Sequence, residues 1–390
     1  MRQFLVAALL VAAGGGCKHS GGRAQDAGAD LAFAGAFAAH DKVDILFMID
    51  NSPGEPYKKE LANRFPTFIK ALESAAFAGH PASYHIGVVT SDLGAGPDTL
   101  NQGQCHPDGD GGKLQVTPAA GATVPAGVSC SQFSLSGGVR FIDYDQIAGT
   151  DNLVGVPDVP TAFTCMAAVG GAGCGFEHQL ESPYRALHDG IPENAGFLRD
   201  DALLVIFFVT DEDDCSAPPD TDLFDPSPDA VAKYGPLHSF RCTQFGITCS
   251  NPPAPLDAST ANGPFTDCHP LDTADGGKLF DVQRYIDFLA RPGGVKADPS
   301  DVILMSISAP GLPIGWTITS PCFDQVNTPS CPALNHSCLA ATNPMFFGDP
   351  ALRLTTVVGA AYTSAAWSMC DTDYTPAVDD LAQKIIARLK

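Results

Sequence analysis

Val43 to Ile49 reads Val-Asp-Ile-Leu-Phe-Met-Ile, and it stops at Asp50-Asn51-Ser52-Pro53-Gly54. A continuous run of strand-forming apolar residues cut short by turn residues suits a parallel strand buried on both faces. In open α/β sheets, ligands bind just beyond the carboxyl ends of such strands. Asp50 and Ser52 therefore stand where chemistry is expected.

The same pattern recurs. Tyr84 to Val89 is a second apolar run, ending in Thr90-Ser91-Asp92. Ala202 to Val209 (Ala-Leu-Leu-Val-Ile-Phe-Phe-Val) is a third, ending in Thr210-Asp211-Glu212-Asp213-Asp214, and Val302 to Ile307 is a fourth. Between them, apolar residues recur at steps of three and four. Leu61, Phe65, Phe68, Ile69 and Leu72 predict a helix over 56–78, with a kink or break at Pro66. Further helices are expected over 176–188, over 278–290 and from Thr375 to the end, the last capped by Thr375 and opened by Pro376. Val139 to Tyr144 predicts a short strand returning antiparallel to the second, and Ala366 to Cys370 a final edge strand. Strands alternating with helices predict an α/β fold with a mainly parallel sheet, helices on both faces and one antiparallel edge strand.

Three stretches interrupt this alternation, at about 93–138, 216–277 and 310–350. They are rich in Gly, Pro and Cys. Excursions of that length inside a domain are insertions with a function or a clamp. Two of them share an echo, Cys105-His-Pro-Asp-Gly-Asp-Gly-Gly-Lys-Leu114 and Cys268-His-Pro-Leu-Asp-Thr-Ala-Asp-Gly-Gly-Lys-Leu279. Neither copy carries the spaced acids and closing Glu of an EF-hand loop, so each reads as a turn beside a disulfide.

The first residues address the chain. Met1-Arg2, the short apolar stretch 4–13 and Gly14-Gly15-Gly16-Cys17 form an export signal too short to span a bilayer. A small-residue run ending in Cys resembles a bacterial lipoprotein processing site, which makes Cys17 the lipidated residue, although Gly14 stands where that site has Leu. Residues 1–16 are then a signal peptide, 17–40 a lipidated Cys and flexible tether, and 41–390 the folded domain, held to the cell envelope, at the outer membrane, by lipid alone. Of 13 cysteines, 12 remain after Cys17. An even number in an exported chain reads as disulfides. Pairing cannot be deduced from spacing, except that Cys165 and Cys174 are close enough to close a local loop.

With 22 Lys+Arg against 44 Asp+Glu the net charge is -22, which offers no basic stripe for nucleic acid. If the acidic strands are adjacent, the oxygens of Asp50, Ser52 and Asp211 converge into a site for a hard divalent cation, Mg²⁺ or Ca²⁺. Asp213 and Asp92 are further candidate ligands. No Gly-x-Ser-x-Gly elbow or His-Glu-x-x-His motif occurs, so the chain is expected not to be an enzyme. Nucleophilic hydrolysis by Ser52 is the lesser alternative.

At Asp44-Ile-Leu-Phe-Met-Ile-Asp-Asn-Ser52 the sequence resembles the von Willebrand factor type A family, whose first strand leads into an Asp-x-Ser-x-Ser metal-binding motif. Val205-Ile-Phe-Phe-Val-Thr-Asp211 resembles that family's fourth strand. Gly173-Cys-Gly-Phe-Glu177, Pro236 to Cys242 and Cys370 to Thr375 fit its exported, disulfide-rich bacterial lipoprotein members. The resemblance covers most of 42–390. It implies a Rossmann-like three-layer sandwich and a metal held by Asp50, Ser52 and Asp211, with one open position for an acidic side chain of a protein partner. Gly54 stands where the motif has its second Ser, and the family's Thr ligand has no evident counterpart, so Glu177 or Asp213 is the candidate to compensate. The expectation is an adhesion or binding module with a degenerate metal site. A metal-free structural envelope protein is the alternative.

Overall fold

The computed structural model describes residues 37–52, 55–96, 105–251, 256–257, 259–320, 322 and 330–390. The expected signal segment over 1–16, Cys17, Pro53 and Gly54 lie outside them.

Seven strands form the central sheet. They are β1 (Lys42–Ile49), β2 (Ser83–Thr90), β3 (Ile142–Asp145), β4 (Thr150–Asp151), β5 (Leu203–Val209), β6 (Val302–Ser308) and β7 (Thr363–Ser368). Their order is β7-β6-β5-β1-β2-β3-β4. The five from β7 to β2 run parallel, β3 pairs antiparallel with β2, and β4 pairs antiparallel with β3. The antiparallel strand expected at the edge is thus one place in. The expected last strand begins three residues earlier, at Thr363, and is parallel.

Eight α-helices occur among the described residues: α1 (Glu55–Phe77), α2 (Val159–Met166), α3 (Glu181–His188), α4 (Pro228–Tyr234), α5 (Phe240–Gly246), α6 (Val282–Ala290), α7 (Leu352–Gly359) and α8 (Thr375–Ile386). β1 shows why its sequence shows no polar alternation. Ile45, Phe47 and Ile49 pack with α1, α2 and α8 on one face, while Leu46 and Met48 pack with α3, α6 and α7 on the other. Each such side chain, fully withdrawn from water, contributes roughly 1.5–3 kcal/mol.

Several local expectations change. α1 runs unbroken past Pro66, where Phe65 stacks on Phe163 at 3.5 Å and meets Phe47 edge-on. This packing outweighs the lost hydrogen bond. Thr375 is the first residue of α8 rather than its cap, and Asp373 Oδ1 accepts its N–H at 3.0 Å. The helix expected from Phe176 starts only at Glu181, because backbone groups of 173–178 bond to other loops. The 216–277 insertion is not all loop: Ser227 caps α4 through the Ala230 N–H, Pro228 opens it, and α5 follows.

The expected Cys165–Cys174 pair is not formed. Cys165 lies on the buried face of α2 and bridges Cys130, while Cys174 bridges Cys105, so both cysteines of the 93–138 insertion clamp it to the body. The other bridges are Cys215–Cys242, Cys249–Cys268, Cys322–Cys331 and Cys338–Cys370. Six disulfides fit an exported or extracellular protein. No described helix is long and apolar enough to cross a membrane. The two echo segments do form turns beside disulfides: Gly111 and Gly276 take positive φ, and Leu114 and Leu279 are fully buried.

Candidate metal centre

From β1 the chain crosses to β2 on one side and later returns to β5 on the other, so the strand order reverses between β1 and β5. At such a reversal the loops leave in opposite directions and open a crevice at the carboxyl ends of the strands. Asp50 ends β1 there, its N–H donating to the Val209 carbonyl of β5 at 3.0 Å.

The Asp50 carboxylate is fully buried and tightly held. Oδ1 accepts the Ser52 N–H at 2.7 Å and, more loosely, the Ser91 hydroxyl at 3.4 Å; Oδ2 accepts the Thr210 hydroxyl at 2.8 Å. The strand-end clusters 50–52, 90–92 and 210–211 therefore meet.

Asp211 is 7% exposed, and its Oδ1 has no hydrogen-bond partner. Burial, and then the charge of Asp50, push its carboxyl up to about 8. Glu177, 2% exposed, is raised well above the usual carboxylate range by burial and then by Asp50. Glu212 is raised by burial and then by Glu177 and Asp211. Four carboxyl groups thus crowd one crevice. The Lys58 ammonium offsets part of this charge at Asp211 while it donates to the carbonyls of Ser52 and of Gly170, the latter at 2.6 Å. The buried Tyr57 hydroxyl faces Ser52 and Asp211 but reaches hydrogen-bond geometry with neither.

The segment 173–178 holds the crevice in shape. Gly173 N–H donates to the Asn51 carbonyl at 3.0 Å, His178 N–H to the Ser91 carbonyl at 2.8 Å, and Cys215 N–H to the Glu177 carbonyl at 2.8 Å. One segment therefore ties the loops after β1, β2 and β5 together. A Cβ on Gly173 would lie 2.3 Å from Asn51 Oδ1, so a side chain there displaces the Asn51 amide.

Asp50, Ser52, Asp211 and Glu177 are brought together, whereas the other two candidate ligands serve neighbouring structure. Asp213 accepts the N–H groups of Arg353 and Leu354 at 3.0 and 3.1 Å and so caps α7. Asp92 Oδ1 accepts the Gly94 N–H at 2.8 Å and shapes its own loop. Sequence reading missed Tyr57, Lys58, Glu212 and Asp110. Asp110 comes from the first echo segment and accepts the Thr90 hydroxyl at 2.6 Å and the Asn51 amide at 3.4 Å. The adjacency of Glu212 to Asp211 was the one available signal.

The donor set is hard oxygen. Among the described residues, the group of three His, Cys, Asp or Glu side chains with ligand atoms within 4.8 Å is His238 with Cys322 and Cys331, and those cysteines bridge each other. The crevice is therefore not a three-carboxylate clamp. One or two carboxylates supplemented by hydroxyls and water is a set that Mg²⁺ accepts. The unpartnered Asp211 Oδ1 fits a cation held beside it.

Fold and crevice together define an open α/β sheet with a carboxylate-lined site at its topological switch. No family model matches the chain, and no curated protein does. Among solved structures, it is similar to the pilus adhesin RrgA from Streptococcus pneumoniae at 11% identity and a TM-score of 0.33, over 89% of this chain and 45% of that one. The chain spans less than half of that adhesin, and at that score the likeness carries no argument.

Proposed function

We propose that the chain is an exported, lipid-anchored binding module of the von Willebrand factor A type, whose crevice holds Mg²⁺ or Ca²⁺ and receives an acidic side chain of a protein partner. Asp50, Ser52 and Asp211 are the ligands, with Glu177 beside them. The bound ion would supply a positive charge with an open coordination position. The observation that carries this reading is the Asp211 Oδ1, buried without a partner among three other carboxyl groups. A buried acid cluster that Lys58 compensates only in part costs stability, and a divalent cation offsets that cost.

Ser52 is assigned to ligation rather than nucleophilic attack, since its surroundings are Asp50, Tyr57 and the Lys58 ammonium. Lys58 favours a second reading, in which it serves as the fixed counter-charge of a metal-free structural protein. Thermal unfolding of chelator-treated protein separates the two. Millimolar Mg²⁺ or Ca²⁺ raises the melting temperature if the crevice takes an ion, and leaves it unchanged if Lys58 alone compensates the acids.

A further inference from the structure

Beside the carboxylate crevice lies a cavity of about 290 Å³ that the proposed function does not use. The 173–178 segment leads to both: Glu177 feels the charge of Asp50, and the next residue, His178, lines the cavity. Leu93 from the loop after β2, with Pro218 and Phe224 from the loop after β5, supplies apolar wall. Three titratable groups, His178, Arg185 and Asp108, interrupt it beside the hydroxyl of Thr221.

None of the three has a full set of protein partners among the described residues. His178 is 4% exposed and packs edge-on against Phe224 at 6.0 Å, and its Nδ1 has no hydrogen-bond partner. Unpartnered buried polar atoms are rare in folded proteins and mark a place where a ligand or water belongs.

Among the described residues Arg185 is paired through Nε alone, 3.4 Å from Glu181 Oε1. That carboxylate also receives Arg284 at 3.2 and 3.3 Å and the Tyr285 hydroxyl at 2.9 Å. Two guanidinium groups on one carboxylate leave a local positive excess in a chain of net charge -22. Asp108, exposed on the rim, makes no ion pair among the described residues.

An anion alone would meet the Asp108 carboxylate, and a cation alone would meet Arg185. A zwitterion satisfies both. We propose that the cavity binds a free α-amino acid with an apolar or aromatic side chain. Its carboxylate pairs with the Arg185 guanidinium, its ammonium with Asp108, and its side chain packs on Phe224. His178 Nδ1 supplies one further hydrogen bond. The volume lies just below the range of drug-sized sites, about 300–1,000 Å³, and suits a ligand of this size.

Calorimetry of the whole protein with L-phenylalanine tests this, alongside 3-phenylpropionate, which lacks the ammonium, and 2-phenylethylamine, which lacks the carboxylate. The expected result is submillimolar binding of L-phenylalanine, with each analogue weaker by about tenfold or more, as loss of a charge-assisted pair requires. Arg185→Met weakens binding to a similar extent. So does Asp108→Asn, which changes an exposed group and leaves the fold intact. Asp211→Asn leaves amino-acid affinity unchanged, which separates this site from the crevice. The proposal is overturned if neither L-phenylalanine nor L-leucine binds at millimolar concentration, if either analogue binds as tightly as the amino acid, or if Asp108→Asn binds like the wild type.

Discussion

Thr210 donates its hydroxyl proton to Asp50 Oδ2 at 2.8 Å, joining the residues that end two adjacent parallel strands. That bond closes the crevice on its inner side. Thr210→Val removes the donor and leaves one buried carboxylate oxygen unsatisfied, which costs about 1–3 kcal/mol. Urea denaturation measures the loss. Divalent-cation affinity falls in the same variant, because Asp50 is no longer held toward Asp211.

The raised carboxyl of Asp211 makes the metal-free protein sensitive to pH in a defined direction. Its folded pKa of about 8 exceeds the ordinary value of 3.8, so the folded state binds the proton more tightly. The associated stability is complete below about pH 4 and is lost as pH rises through about 8. In chelator, the melting temperature therefore falls between those limits, and Asp211→Asn flattens that fall. Equal slopes for both proteins would remove Asp211 as the cause.

Gly173→Ala places a methyl group 2.3 Å from Asn51 Oδ1 and 2.5 Å from Asn51 Cγ. The Asn51 amide must turn away, which breaks its bonds with Ser91 and Asp110 beside the crevice. The expected cost is about 1–3 kcal/mol from overpacking, with cation affinity reduced as well. Calorimetric unfolding and a cation titration of the same sample read both effects.

The Cys130–Cys165 bridge ties the first insertion to the buried face of α2 across 35 residues. Replacing both cysteines with serine should destabilise the protein by about 2–5 kcal/mol. The site should still form once the variant folds, since Cys105–Cys174 holds the segment beside it. Guanidinium unfolding compares the two proteins directly.

β1 and β5 were legible because strands buried on both faces must be apolar throughout, and because Asp50 and Asp211 mark where burial ends. The meeting of the two acids depended only on those strands being neighbours, as they are. The loops that close on them were harder to read. Glu177 sits in a segment whose periodicity continues that of α3, yet its backbone bonds to three separate loops keep it out of the helix. Asp110 reaches the crevice edge because a disulfide and a turn bring its insertion there, and spacing does not encode either. Asp213 reads like its neighbour Asp211 but points to the start of α7, an element whose short apolar stretch gave no clear signal. The Cys165–Cys174 expectation failed for a similar reason, since nearness in sequence says nothing about which side of α2 a cysteine faces.

The most direct test of the central claim is isothermal titration of chelator-treated protein with Mg²⁺ and with Ca²⁺, for the wild type and for Asp211→Asn. Asparagine keeps the shape of the side chain and removes its charge. The account predicts one ion per chain at submillimolar affinity in the wild type and loss of that binding in the variant. Absence of binding by either ion, or equal binding by both proteins, would contradict it.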